Sequence, residues 1–139
     1  MKLFTIGYGG RTAEGLIALL KAHDVRTVVD IRLRPDRASM GIWVKAKTSD
    51  KGIEKRLHDH AIAYRSLIEL GNVFLEFEDW RDRYRRLLQS AGDLLVERLN
   101  EVDPPYCLLC AEKRATDCHR EQLADYLAQS TGLQVEHLE

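Results

Sequence analysis

Nowhere does the chain carry an apolar run near the ~18 residues that a membrane-spanning helix needs. Its 139 residues hold only three cysteines and three prolines. An odd cysteine count without secretory features speaks against a disulfide framework and for reduced thiols in a cytoplasmic protein. A dominant charge is also lacking, since 21 Lys and Arg against 22 Asp and Glu leave a net charge of −1. Nothing global therefore marks a nucleic-acid or membrane partner, and such binding would need a local patch. The beginning, one charged residue and then a short strand-like run, is neither a signal peptide nor an anchor. Internal repeats and separable linkers are missing too. The expectation is one domain over residues 1–139, long enough to bury roughly two-thirds of its unfolded surface.

Three familiar motifs are incomplete. Gly7-Tyr8-Gly9 is followed by Gly10-Arg11-Thr12, so the third glycine of a dinucleotide-binding fingerprint is absent. Six residues beyond Cys110 stands Thr116, not the arginine of a thiol phosphatase loop. Cys110, Glu112, Cys118 and His119 are ligand types that suit zinc, but their spacing is not that of a finger or ribbon.

What is present is alternation of strand and helix. Residues 2–6 read as a strand, and Thr12 can cap a helix whose face is Leu16, Ile17, Leu20 and His23. Residues 26–31 form a β-branched strand. Residues 36–49, with Arg37, Met40, Trp43, Lys45 and Lys47, make a crossover loop long enough to suspect a lid or base-stacking surface. A short helix over 51–61 leads to a strand over 62–67, in which Tyr64 reads as a half-buried packing residue. After Glu69-Leu70-Gly71-Asn72 comes the most regular helical stripe, Trp80, Tyr84, Leu87, Leu88, Ala91, Leu94, Leu95 and Leu99, tolerating Gly92. A buried strand over 106–110, a helix with Leu123, Ala124, Leu127 and Thr131 inward, and a strand over 133–137 close the chain. The fold class is α/β: one domain with a mostly parallel sheet of about five strands and helices on both faces.

Ligands of such sheets sit beyond the carboxyl ends of the strands. There the sequence places Tyr8 and Gly9, whose loop amides can approach a ligand closely. It places Asp30, Arg32 and Arg34 on one side of an extended segment, with Pro35 keeping Arg34 extended. It also places Cys110, Glu112, Cys118, His119 and Arg120 around a βα loop. Asp117 or Thr116 would cap the following helix, His119 and Arg120 would share its sheet-facing side, and Cys118 would lie beside Gln122 and Asp125. An inward arginine needs an anion, because an unpaired buried guanidinium is costly.

In order, Thr5-Ile6-Gly7-Tyr8, Asp30-Ile31-Arg32 with Pro35, Tyr64 with Leu70-Gly71, and Cys110-Ala111-Glu112 with Cys118-His119-Arg120 resemble the signature of domain-of-unknown-function family 488. The likeness spans nearly the whole chain. It implies a compact α/β protein with its marked polar residues at one end of the sheet, and no particular activity. Gly9 stands where a serine is usual, and Asn72 where a second glycine is usual.

Four readings of these residues stay open. The favoured one is a pocket for a small anionic, phosphate- or nucleotide-like ligand. Arg32, Arg34 and Arg120 with Tyr8 and Gly9 would bind it, Tyr8 or Trp43 would stack on a ring, and Glu112, Asp30 or His119 would do acid-base work for a hydrolase or transferase. In the second, Cys118 or Cys110 is a nucleophile or redox thiol activated by its neighbours. The third is the zinc site, and the fourth a structural ion-pair network. No cofactor or metal is expected. The contrary class is a non-catalytic module binding nucleic acid or a nucleotide through the same arginines and the Lys45–Lys47 loop.

Overall fold

The computed structural model describes residues 2–139. Five strands, β1 (Lys2–Gly7), β2 (Thr27–Asp30), β3 (Ala63–Ser66), β4 (Tyr106–Cys110) and β5 (Gln134–Leu138), alternate with four helices. The helices are α1 (Ala13–Ala22), α2 (Gly52–His58), α3 (Trp80–Leu95) and α4 (Arg120–Thr131). The strands form one sheet in the order β3-β2-β4-β1-β5. Every neighbouring pair is parallel, so the sheet is wholly parallel rather than mostly so.

Alternation of side chains along each strand decides which face each residue feeds. Phe4, Ile6, Val28, Cys107 and Leu109 meet Leu16, Ile17 and Leu20 of α1 and Ile53 and Leu57 of α2 on one face. Leu3, Val29, Leu108 and Cys110 meet Tyr84 and Leu88 of α3 and Leu123, Ala124 and Leu127 of α4 on the other. Burying each such leucine or isoleucine contributes about 1.5–3 kcal/mol. Strands covered on both faces must be apolar throughout, and β4 is buried at all five positions.

Local signals set the helix ends. The Thr12 hydroxyl accepts from the Gly15 amide at 3.0 Å, capping α1. Gly132, at φ 77°, ends α4 in the left-handed conformation that glycine favours. Gly92 is more than tolerated, because a Cβ there would fall 2.3 Å from the Tyr126 ring where α3 and α4 approach.

Most element ends shift by a residue or two, and the short helix expected over 51–61 ends at His58; two further differences bear on the packing and the site. The stripe from Trp80 breaks after Leu95 into a 3-10 turn at Arg98–Glu101, which carries Leu99 inward separately. The last helix starts at Arg120, after a 3-10 turn over Ala115–Asp117. Neither Asp117 nor Thr116 caps it; His119 holds the cap position without a side-chain cap bond.

The topology opens the crevice. The chain leaves β2 toward the β3 edge and leaves β4 toward the β5 edge, yet β2 and β4 are neighbours. Their loops diverge over opposite faces, and the space between is where ligands enter sheets of this kind.

Candidate functional site

The carboxyl end of β1 is pressed against the β4 loop. A Cβ on Gly7 would lie 1.5 Å from the Glu112 carbonyl oxygen, so only glycine fits. Beyond it the Tyr8 amide donates to the Cys110 carbonyl at 3.2 Å and the Gly9 amide to the Ala111 carbonyl at 2.9 Å. Gly9, expected to offer its amide to a ligand, instead ties the two loops together.

At the end of β2, Asp30 is fully buried and grips Arg32 with both oxygens: Nε to Oδ1 at 2.9 Å and Nη2 to Oδ2 at 2.7 Å. The Tyr64 hydroxyl donates to Asp30 Oδ2 at 2.5 Å. Burial and the adjoining carboxylate push the Tyr64 hydroxyl well above its usual range. Burial works against the Arg32 charge, but Asp30 outweighs it and holds the guanidinium protonated. Asp30, expected as an acid-base group, is therefore committed to orienting Arg32, and Tyr64 is its second partner rather than plain packing. The remaining edge of Arg32, Nη1, points toward the Tyr8 hydroxyl at 3.4 Å. Tyr8 in turn stacks on Trp43, with centroids 4.9 Å apart. Trp43 is buried against that ring and not free to stack on a ligand.

Arg120 is the largest fully buried side chain, and it meets carbonyls where an anion was expected. Nη1 donates to the Glu112 carbonyl at 2.6 Å and to Cys110 Sγ at 3.0 Å, Nη2 to the Lys113 carbonyl at 3.0 Å, and Nε to Thr5 Oγ1 at 3.2 Å. Four of its five donors are spent in shaping the β4 loop from inside, and none of these four bonds goes to an anion.

Cys118 precedes the helix in extended backbone, φ −133° and ψ 150°, so the helical wheel that put it beside Asp125 does not apply. Its side chain turns inward and forms a disulfide with Cys110. The thiols expected to be reduced are thus one bonded pair plus Cys107, buried on the opposite face of the sheet. His119 Nε2 lies 3.0 Å from the Ile31 carbonyl, which can only accept, so the hydrogen resides on Nε2. Nδ1 then turns its lone pair toward Cys118 Sγ, 3.6 Å away. Burial lowers the His119 pKa to about 4, keeping the ring neutral at physiological pH.

These groups surround a cavity of about 540 Å³, a size that suits a small molecule. Of the residues singled out in the sequence, Tyr8, Arg32, Arg34, Cys110, Glu112, Cys118 and His119 border it, whereas Gly9, Asp30 and Arg120 stand behind them. Arg34 pairs with Asp36 through 3.1 and 3.2 Å bonds, while Arg37, also on the rim, has no ion-pair partner among the described residues. Glu76, Glu112 and Asp117 add carboxylates to the lining.

One part of the wall was not legible in the sequence. Leu33, Val73, Leu75 and Trp80 line it, and Leu75 is 71% exposed. Asn72 lies among them, 6% exposed. Its Oδ1 accepts from the Phe74 amide at 2.9 Å, while its Nδ2 has no partner. A buried amide nitrogen without an acceptor costs about 1–3 kcal/mol unless something else supplies one. Its place after a strand end, where the resembled family usually carries a second glycine, was the advance signal.

Among the described residues no group of three or more His, Cys, Asp or Glu is arranged to hold a metal, and no helix is long and apolar enough to cross a membrane. In this structure the two sulfurs of the zinc-like set are bonded to each other. The family model described as domain of unknown function DUF488 matches residues 12–127. No curated protein and no solved structure matches the chain.

Proposed function

The chain belongs to the DUF488 family, and from the geometry of its cleft we propose that it binds a small ligand combining an anionic group with an apolar ring, phosphate- or nucleotide-like in class. The observation that carries this reading is the unpartnered Asn72 Nδ2, buried in the wall of a cavity that Arg32, Arg34 and Arg37 also line. Arg32 is held rigid by Asp30, so its remaining edge, which faces only the Tyr8 hydroxyl at 3.4 Å, is positioned in advance and loses little freedom when an anion arrives. Arg37 adds charge at the entrance. Leu33, Val73, Leu75 and Trp80 offer apolar surface to the uncharged part, and a ring carbonyl or nitrogen would satisfy Asn72.

Glu112 is the one carboxylate of the expected acid-base set that borders the cavity. A hydrolase or transferase acting on such a ligand would use it as general acid or base. Turnover lost in Glu112→Gln with binding retained would assign it that role.

Calorimetric titration with adenosine monophosphate, adenosine and inorganic phosphate tests the reading. Adenosine monophosphate is expected to bind more tightly than either fragment. Asn72→Ala should weaken it about tenfold, the loss of one buried hydrogen bond. Equal affinities for all three, or no heat of binding, would overturn it.

A further inference from the structure

The cavity edged by arginines also reaches a disulfide, and neither feature explains the other. Cys110 and Cys118 both line it and are bonded to one another. Around that bond the protein has placed groups suited to its opening. Arg120 Nη1 donates to Cys110 Sγ at 3.0 Å, and the Arg120 amide to Cys118 Sγ at 3.4 Å. The neutral His119 presents Nδ1 to Cys118 Sγ.

We propose that Cys110 and Cys118 are a redox-active pair whose partner in exchange is a low-molecular-weight thiol carrying a carboxylate or phosphate. This inference rests on the anion-binding reading of the cleft. The rim arginines hold the anionic end of the thiol, and its sulfur reaches the disulfide.

The external thiolate attacks Cys118 Sγ, forming a mixed disulfide with it and breaking the Cys110–Cys118 bond. The electron pair of that bond departs on Cys110 as a thiolate, which the Arg120 guanidinium stabilises; a thiol of lowered basicity is the better leaving group. A second thiol molecule, as thiolate, attacks the external sulfur of the mixed disulfide. The products are the oxidised small molecule, released as its own disulfide, and Cys118 as a thiolate. The two protons of the incoming thiols end on Cys110 and Cys118, and the Cys118 S–H then donates to His119 Nδ1. Two electrons pass from two small thiols to the protein disulfide. Run backwards, an oxidised small disulfide restores the bond.

The test follows oxidised protein by mass spectrometry and alkylation during exposure to 3-mercaptopropionate, 2-mercaptoethanol or cysteamine, with each rate divided by that of the same thiol toward a small uncharged disulfide, so that differences in thiolate fraction and intrinsic nucleophilicity cancel. The anionic thiol should react fastest, about tenfold faster than the cationic one through electrostatic steering at the rim. The Arg34→Ser/Arg37→Ser double variant should reduce that preference. In Cys110→Ser, treatment with the disulfide of 3-mercaptopropionate should leave the adduct trapped on Cys118, because no resolving thiol remains. Equal corrected rates for the three thiols would overturn the substrate class. A Cys110–Cys118 pair that neither opens nor re-forms would overturn the redox assignment. If that happens while adenosine monophosphate still binds, only this inference fails; if the binding is absent as well, the cleft reading fails with it.

Discussion

Arg32 rests on Asp30 through one edge of its guanidinium, Nε 2.9 Å from Oδ1 and Nη2 2.7 Å from Oδ2, and both side chains are buried. Two residues apart on one strand end, they form a unit in which the carboxylate fixes the direction of the charge offered to the cleft. A buried pair of this kind is weak evidence for stability in itself, but removing one member leaves an uncompensated charge.

Asp30→Asn should therefore destabilise the fold by about 3–5 kcal/mol, measured as a lowered denaturation midpoint with an unchanged slope. Adding Arg32→Met should recover part of that loss, since the stranded charge is then gone. Full stability in Asp30→Asn alone would show that the pair is not desolvated.

Gly7→Ala should cost at least about 3 kcal/mol, at the upper end of overpacking effects, because the new methyl group would fall on the backbone carbonyl of Glu112. Relief would require the β1 and β4 loops to part, so ligand binding should fall together with the thermal midpoint. Calorimetric scans and titrations of the purified variant check both.

Arg120→Lys keeps the charge but loses the fork that serves Thr5, Cys110 and the carbonyls of Glu112 and Lys113. A single ammonium cannot reach all four. Loss of about 2–4 kcal/mol is expected from the orphaned carbonyls, with faster amide exchange over residues 111–114. Unchanged exchange there would contradict the role given to Arg120.

Stability should also fall on acidification through His119. Its folded pKa of about 4 lies below the ordinary value of 6.5, so the unfolded chain binds the proton first. The favourable contribution is fully present above pH 6.5 and lost progressively as pH falls toward 4, at about 1.4 kcal/mol per pH unit. Unfolding free energies of wild type and His119→Gln across that range should converge at the acid end. Parallel curves would show that His119 is not responsible.

Much of the frame was legible because it rests on periodicity. The two-residue alternation and the 3.6-residue stripes placed five strands and four helices in order, and with them the strand ends at Tyr8, Asp30 and Cys110. Helical spacing puts Arg120 on the inward face, as observed, but the anion that an inward guanidinium calls for is replaced by turn carbonyls of the preceding loop. Cys118 lies two residues before the helix start, where a helical wheel no longer places a side chain. The turn at Asn72 is readable, but its unpartnered nitrogen depends on the path of residues 71–79, which has no period to read. The disulfide was equally hidden, for eight residues of separation fix no distance between two sulfurs when an irregular loop lies between them.

The most direct measurement is the side-chain amide resonance pair of Asn72, followed by NMR while adenosine monophosphate is added to the oxidised protein. Binding in the cleft predicts a saturable shift of that pair with a parallel shift of Arg32 Nε–H, and a saturation point matching the calorimetric one. Shifts confined to the exposed Arg34 and Arg37 that grow without saturation, leaving Asn72 unmoved, would contradict it.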